Sequence, residues 1–412
     1  MKSNLWKAIG PGIIWAGAAI GVSHLVQSTR AGADYGFQLI LIVMVANVLK
    51  YPFFQFGPRY AVATGESLID GYKRLGKWVV VLFLLLTVGT MFTILAAVSS
   101  VSVGVITSVI PIPLSYVQVA IILLLICSVI VLVGRYKALD RIMKYVVVVL
   151  GFSTIAGLII AFTHNTEPLQ TYMKPLEWGV TDVAFVIALV GWMPSAIDIS
   201  VWNSLWTLAK MKESGYKPKL KETMTDFNIG YIGTVVLSIS FLGLGALVMY
   251  NSGETFANNG TQFANQFFNL YTSSIGSWAY IVIAIAAIAT MFSTTLTVLD
   301  AYPRVLNPIV DSFSNKTNNE KTHQKLNYVW TIILIIGAVL FITVLSGKMR
   351  LLVDIATTLS FITAPVLGYL NLRVMTAPHV DKKYQPKAPL RILSWIAIVV
   401  FSLFSVYYLF VH

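Results

Sequence analysis

The sequence has little charge and almost no cysteine. Only 11% of its 412 residues are charged, whereas soluble proteins are charged at about a quarter of their positions. Cys127 is the single cysteine, so the chain can form no internal disulfide and no zinc site built on several cysteines. With 57% hydrophobic residues, this composition predicts an integral membrane protein rather than a soluble domain.

Acidic residues are scarce, with 17 Asp and Glu against 29 Lys and Arg and a net charge of +12. The excess does not indicate a nucleic-acid partner, because the basic residues lie in short segments between long apolar runs. The sequence also lacks a nucleotide-binding P-loop, which argues against direct use of ATP. Its five histidines are too scattered for a catalytic cluster in the membrane. We therefore predict neither an enzyme nor a cofactor.

Long apolar runs fill most of the chain. Eleven of them are long enough to cross about 30 Å of hydrocarbon as helices, which predicts an all-α integral membrane protein. Residues 251–275 are predicted to be a polar loop outside the membrane. The predicted spans are 8–29, 36–57, 78–109, 114–134, 143–163, 180–208, 226–250, 276–300, 327–346, 351–373 and 391–411.

The basic residues fall mainly on one side of this arrangement. With the N-terminus in the cytoplasm, most Lys and Arg residues lie in cytoplasmic segments, and the outside keeps only Arg30, Lys174, Lys348 and Arg350. This is the positive-inside pattern, and it predicts that the C-terminus lies outside. Lys50 lies within the second span, where it would snorkel or pair with an acid.

Two spans, the first and the sixth, are interrupted near their middle. The first contains the stretch Gly21 to His24, and the sixth contains the stretch Gly191 to Asp198 with a proline inside it. Because they are five spans apart, they enter the membrane from opposite sides, which indicates a transporter built from inverted repeats around a midplane site. We predict a first five-helix repeat over 1–165, a second over 166–375, and an eleventh helix with the C-terminus over 376–412.

Several stretches together resemble the Nramp family of divalent-metal transporters. They are Gly10-Pro-Gly12, Arg30 to Gly36, Gln55 to Glu66, Met193-Pro194, and Ser293 to Thr297. Their order through spans 1–10 is similar to that of the family, and so is the count of eleven spans. The resemblance implies a LeuT-like fold of 5+5 inverted repeats plus an eleventh helix. It also implies a divalent-metal site between the two interrupted spans, and proton movement during transport.

The chain departs from the family where the family binds metal. The family's Asp-Pro-Gly-Asn in span one is replaced by the four residues from Gly21 to His24, which include no carboxylate. The family's Met-Pro-His in span six corresponds to Met193 through Ser195, so the methionine matches and the histidine does not. Span three contains no acid. The sequence therefore resembles a divergent branch that lacks the family's metal-binding motif.

Asp198 is the one acid well inside an apolar span and next to an interruption. Ionisable groups at this depth usually mark an ion or substrate path, so we predict a cation ligand or a proton acceptor. The alternative is structural. Ser195 and Asp198 have the spacing of a capping box at the start of the second half-helix, where the helix dipole also favours an acid.

His24 and Met193 complete the predicted metal ligands. His24 occupies the position similar to the family's ligand asparagine, and imidazole binds transition metals and carries protons. Its alternative role is a structural one, bonded to carbonyls freed by the interruption. Met193 offers a soft sulfur ligand, although methionine more often only packs.

Four further residues are predicted to contact the substrate. Gly21 and Gly191 allow the backbone to unwind and approach it closely, and Ser23 lies in the same interruption as Gly21. Trp192 could stack on an organic cation or simply pack in the interior.

Thr294 and Thr295 are predicted to bind a coupling ion. The resemblance to LeuT-like transporters implies sodium there, but hydroxyls in membrane helices also bond to their own backbone. Gln27, Asp300 and Asp354 are secondary candidates, because the two acids lie near the ends of spans.

The predicted function is secondary active transport of a cation, with a divalent metal ion first, across a plasma membrane of bacterial type. The alternative cargo is a small organic solute, such as an amino acid or amine, coupled to sodium or protons. The expected partners are the transported ion or solute and the lipid bilayer, and a monomer would suffice.

Overall fold

The computed structural model describes residues 9–133, 136–173, 178–250, 252, 254–313 and 320–411. Six residues that bear on the predicted orientation lie outside the described residues, and they are Lys2, Lys7, Arg135, Lys174, Lys316 and His412. The described chain is helical, apart from its turns and connecting segments. Its helices are α1 (Pro11–Ala19), α2 (Thr29–Tyr35), α3 (Ile40–Thr64), α4 (Leu68–Leu75), α5 (Lys77–Val109), α6 (Tyr116–Val133), α7 (Tyr136–His164), α8 (Val180–Gly191), α9 (Ile199–Ser214), α10 (Leu220–Met249), α11 (Gly260–Ile275), α12 (Ala279–Phe313), α13 (Glu320–Val344), α14 (Met349–Met375) and α15 (Ala388–Val411).

All eleven predicted spans correspond to helices. Within the described residues, eight helices are long and apolar enough to cross a membrane, namely α3, α5, α6, α10, α12, α13, α14 and α15. The fifth span is α7, and the first and sixth are the pairs α1–α2 and α8–α9. Both predicted interruptions are therefore real, while the sidedness of the termini and the repeat boundaries stay predictions.

The expectation of a polar loop over 251–275 is wrong for its second half, which forms α11. The Asn259 side chain accepts hydrogen bonds from the backbone N–H groups of Thr261 and Gln262, which begins the helix. Phe263 and Phe267 are buried on one face of α11. The abundance of polar residues concealed this amphipathic spacing.

Helix α10 holds the two pieces of the first interrupted helix together. A β-carbon on Gly12 would lie 2.2 Å from the Asp226 carbonyl oxygen, and one on Gly230 would lie 2.3 Å from the Gly12 carbonyl oxygen. Small residues let membrane helices approach this closely. The Asp226 carboxylate also accepts the N–H groups of Gly10 (3.0 Å) and Gly12 (2.6 Å) at the start of α1.

Helices α5, α12 and α14 complete the surroundings of the two interruptions. Gly21 faces Thr294 of α12, and Gly191 faces the backbone of Thr357 on α14. Ser102 of α5 lies 2.9 Å from the Thr295 hydroxyl of α12. The interruptions are thus enclosed by protein, as non-helical backbone at membrane depth must be.

Candidate functional site

The first interruption begins where α1 ends at Ala19. Ile20 is extended, with φ −79° and ψ 93°, and the chain resumes as a π-helical segment over Ser23–Ser28. The Ser23 hydroxyl donates to the Ala19 carbonyl at 2.5 Å. Serine thus satisfies a carbonyl that the missing helical turn would have occupied.

His24 closes the same interruption from the other side. Its Nδ1 lies 2.8 Å from the Ser23 hydroxyl and 3.1 Å from the Ala19 carbonyl oxygen, and its Nε2 lies 3.0 Å from the Thr234 carbonyl oxygen of α10. The ring is fully buried. Both ring nitrogens are therefore engaged within the protein, so binding a metal would require His24 to release one of these bonds. Its role as a ligand stays a prediction.

The second interruption covers residues 192–198, between the end of α8 at Gly191 and the start of α9 at Ile199. The Lys50 ammonium of α3 fills it, donating to the carbonyls of Val190 (2.5 Å), Gly191 (2.7 Å) and Ser195 (3.1 Å). Lys50 is 0% exposed. The snorkelling alternative is therefore wrong, because the ammonium turns into the protein rather than towards a membrane surface.

A cavity of about 30 Å³ lies between the two interruptions. That volume holds about one or two water molecules. Asp198 is its only charged lining residue. Its walls come from both interruptions, α5 and α12, and consist of Ala18, Ala19, Val22, Ser23, Ile94, Val98, Trp192, Ser195, Ala196, Asp198, Ile199, Trp202, Thr294, Thr297 and Val298.

Asp198 directly precedes α9 and makes no side-chain capping bond to it. The capping-box alternative with Ser195 is therefore wrong, because α9 begins at Ile199 and Asp198, rather than Ser195, stands at its N-cap position. Among the described residues, Asp198 Oδ1 is buried with no hydrogen-bond partner within 3.5 Å, while the carboxylate as a whole interacts with the backbone N–H of Ile199 and the hydroxyl of Tyr302. Lys50 is close enough for its charge to act on this carboxylate. An unpartnered buried carboxylate oxygen beside a cavity is what a cation-binding site requires.

The predicted site residues divide into two groups. Ser23, Trp192, Asp198 and Thr294 line the cavity. The others are not among its lining residues, and they are Gly21, His24, Gly191, Met193 and Thr295.

Trp192 and Met193 each have a partner inside the protein. The Trp192 indole N–H donates to the Ser360 hydroxyl at 2.8 Å. The Met193 sulfur lies 3.9 Å from the Ser28 hydroxyl. Trp192 therefore belongs to the cavity wall with a fixed ring, and the proposed ligand role of Met193 stays untested.

The two threonines of α12 bond to their own helix, as the alternative reading allowed. Thr294 donates to the Thr290 carbonyl and Thr295 to the Met291 carbonyl, each at 2.9 Å. Thr294 also packs on the first interruption, since a β-carbon on Gly21 would lie 2.8 Å from its hydroxyl. These contacts leave the hydroxyl lone pairs available but do not themselves identify an ion site.

Sequence reasoning overlooked Lys50 as part of the site. Its position inside an apolar span was the available signal, but the sequence did not indicate which backbone it would reach. Trp202, a second aromatic wall of the cavity, was also missed because it lies beyond the interruption.

Among the described residues, no group of three or more His, Cys, Asp or Glu side chains is placed to hold a metal ion. Any metal bound in the cavity would therefore rely on Asp198, hydroxyl and carbonyl oxygens, and water. Such a donor set suits hard cations rather than thiophilic ones.

Two solved structures share this fold. A manganese transporter mutant from Eremococcus coleocola superposes with a TM-score of 0.69 at 13% identity, covering 99% of this chain and 87% of that one. MhsT in complex with L-phenylalanine superposes with a TM-score of 0.59 at 15% identity, covering 96% of this chain and 98% of that one. At such low identity these likenesses establish the fold alone, which is LeuT-like.

Sequence comparison defines the family. An uncharacterized protein of Pasteurella multocida is 35% identical over 408 residues, which is 98% of this chain and 92% of that protein. The family described as natural resistance-associated macrophage protein-like matches residues 12–411. The chain therefore belongs to the Nramp family and is a multi-pass membrane transporter.

Proposed function

We propose that this protein is a secondary active transporter that binds a cation, a divalent metal ion in the first place, in the cavity between its two interrupted helices. One observation carries the proposal: the interruptions converge on a cavity whose only charged lining residue is Asp198, with Oδ1 unpartnered among the described residues. Family membership over residues 12–411 supports the same function. Both interruptions lie in one chain, so a monomer is sufficient, and we place it in a bacterial plasma membrane.

The oxygen donors in the cavity wall favour Mn²⁺ or Mg²⁺ as cargo. Mg²⁺ is commonly bound through one or two carboxylates while it keeps several waters, and Mn²⁺ accepts carboxylate, carbonyl and water ligands. Asp198 supplies the carboxylate and Ser23 a hydroxyl on the opposite wall. The cavity must enlarge to admit the remaining waters, which is consistent with a closed state of a site that opens during transport.

Alternating access is supported by a polar network on the predicted outer side of the site. Arg30 of α2 lies 2.7 Å from the Asp354 carboxylate of α14, and Gln27 donates to the same carboxylate at 3.3 Å. The Arg30 guanidinium also lies 4.2 Å from the centre of the Phe185 ring of α8. These contacts join both interrupted helices to α14, so their release would open the cavity to the outside.

A labelling experiment tests this closure. Cys127 is buried, so a cysteine introduced as Ser23→Cys can be followed with a membrane-impermeant maleimide. We expect Arg30→Gln to raise the labelling rate of that cysteine several-fold, whereas Arg391→Gln, in α15 and away from this network, leaves it unchanged. Equal labelling of both variants would contradict the proposed outer closure.

The proposal extends to the coupling ion. The family resemblance favours proton symport, and Asp198 is the titratable group at the cavity. The threonine pair on α12 is the candidate for sodium, with Thr294 in the cavity wall. Uptake measured with imposed pH and sodium gradients separates the two, because a Thr294→Val variant would lose only sodium-driven uptake.

A small organic cation is the second candidate cargo. The rings of Trp192 and Trp202 line the same cavity as Asp198, and aromatic faces beside a carboxylate attract amines. A neutral or zwitterionic solute is less well matched, because the described cavity wall contains no second charged group.

Uptake into proteoliposomes discriminates among these cargoes. Purified protein is assayed with Mn²⁺, Mg²⁺ and a panel of amines and amino acids. We expect divalent-metal uptake that Asp198→Asn reduces at least ten-fold. Asp300→Asn is the matched control, because Asp300 pairs with Arg304 and lies outside the cavity. Uptake of amines without metal uptake would favour the second candidate, and normal metal uptake by Asp198→Asn would overturn the site.

A further inference from the structure

The Lys50 ammonium has a hydrogen-bond acceptor for each of its three N–H groups. Its three N–H donors match three carbonyl acceptors, those of Val190, Gly191 and Ser195, at 2.5 to 3.1 Å. An ammonium has three donors and no acceptor, so every proton is used. Lys50 has no exposed surface, and the ammonium is therefore fixed rather than loosely accommodated.

The location of these carbonyls is the kind that binds cations. Val190 and Gly191 are the last residues of α8, where the helix dipole places partial negative charge. In transporters with interrupted helices, unwound carbonyls and the C-terminal ends of half-helices coordinate coupling cations. Here a side chain from α3 takes that position.

The charge balance of the site supports the same reading. Asp198 and Lys50 act on each other electrostatically, and no other charged residue lines the cavity. The pair is therefore neutral as a unit. Without Lys50, three carbonyl dipoles would converge with no positive charge between them and with a carboxylate nearby, and such an arrangement attracts a small cation.

We propose that Lys50 is a tethered cation that occupies a monovalent-cation site at the carbonyl end of α8. The structure thus assigns an ion site to the carbonyls of Val190, Gly191 and Ser195, with Asp198 as the nearby negative charge, and this site would take Na⁺ or K⁺ if the lysine were absent. Its position borders the cavity of the proposed function, but the site itself does not depend on which cargo is carried. The cargo cation then shares the Asp198 carboxylate with Lys50, whereas the α8 carbonyls are reserved for the lysine.

Ion-dependent stability of purified protein tests the proposal. Melting temperatures are measured in choline chloride, NaCl and KCl at constant ionic strength. We expect Lys50→Met to gain a saturable stabilisation by Na⁺ or K⁺ that exceeds any response of the wild-type protein, together with saturable binding of radioactive sodium or rubidium. Lys73→Met is the matched control, because Lys73 is exposed on α4, and it should respond as the wild type does.

The wild-type comparison removes any contribution from a separate sodium site at Thr294 and Thr295. We further expect the double variant Lys50→Met, Asp198→Asn to lose most of the added ion response, because the nearby negative charge is gone. An ion response of Lys50→Met no larger than that of the wild type would overturn the proposal. Because no cargo is needed, this result is independent of whether metal uptake is found.

A second measurement applies if Lys50→Met does not fold in the absence of an ion. Membranes containing Lys50→Ala are solubilised with methylammonium, tetramethylammonium or choline, and the recovery of folded protein is followed by size-exclusion chromatography. Methylammonium has three N–H donors for the three carbonyls, and tetramethylammonium has none. We expect recovery only with methylammonium. Equal recovery in all three salts, or in none, would overturn the proposal.

Discussion

Both interrupted helices leave backbone carbonyls without helical partners, but different kinds of side chain bond to these carbonyls in the two helices. In the first, neighbouring neutral groups satisfy the freed backbone, with Ser23 on the Ala19 carbonyl and His24 bridging to α10. In the second, a charged side chain from a distant helix does so, with Lys50 on three carbonyls. The first interruption thus combines a local contact with one to α10, whereas the second depends entirely on the docking of α3 against α8. We expect the second to be the more sensitive to substitution.

The largest effect should come from separating Lys50 and Asp198. Removing one member of a buried charged pair costs about 3–5 kcal/mol, because the other charge remains without compensation, while replacing both is often nearly neutral. We therefore expect Lys50→Met to lower the free energy of unfolding more than the double variant Lys50→Met, Asp198→Asn does. Denaturant titration of the purified proteins measures both. If the losses of the two single variants simply add in the double variant, the pair is not coupled.

The glycines of the two interruptions offer a matched comparison. A β-carbon on Gly191 would lie 1.9 Å from the Thr357 backbone oxygen, whereas one on Gly21 would meet the Thr294 side chain at 2.8 Å. Backbone atoms cannot rotate away, so Gly191→Ala should be destabilised by about 1–3 kcal/mol and Gly21→Ala by less. Thermal unfolding of both variants decides this, and a greater loss at Gly21 would reverse the ranking of the two interruptions.

His24 tests whether the first interruption is structural or also binds cargo. Replacement with leucine removes the ring nitrogen beside the Thr234 carbonyl, and a buried polar group left unsatisfied costs about 1–3 kcal/mol. We expect His24→Leu to unfold at lower temperature while the relative uptake of Mn²⁺ and Mg²⁺ stays unchanged. The same two assays on Ser23→Ala provide the control within the interruption. A changed order of metal preference in His24→Leu alone would instead support a ligand role.

The smallest effect belongs to a charged pair outside the membrane spans. Arg74 lies 2.5 Å from Glu66, and its hydrogen bonds hold the pKa of that carboxyl below the usual value. The folded-state pKa is lowered, so the stabilisation is present above the ordinary pKa of glutamate and is lost as the pH falls through the lowered value. Solvent screening limits it to about 1 kcal/mol or less.

The pH dependence of the Arg74–Glu66 pair allows an exposed charge to be compared with the buried charge of Lys50. We expect Arg74→Met to lower the melting temperature slightly at pH 7, and the difference from wild type to shrink at the acidic end of the stable range. Lys73→Met, its neighbour on α4, should show no such pH dependence. If Arg74→Met lowered the melting temperature more than Lys50→Met does, buried charges would not be more important for stability than exposed ones in this protein.

The sequence allowed the eleven spans and both interruptions to be predicted. Length and hydropathy determine which segments cross a membrane, and glycine and proline inside an apolar run indicate where the helix breaks. The expectation failed for α11, because its polar residues concealed one apolar face with Phe263 and Phe267. It also failed for the proposed capping of α9 by Ser195, since the start of α9 depends on contacts that span length does not reveal.

By itself, the sequence determined that this chain is a membrane transporter of the Nramp type with two broken helices, because composition, span spacing and ordered motifs are properties of the chain alone. Only the tertiary structure decided how each break is satisfied. Lys50 and Gly191 are 141 residues apart, and His24 and Thr234 are 210 apart. No local pattern encodes such pairings, since they arise when helices pack and buried backbone groups must find partners wherever the fold provides them.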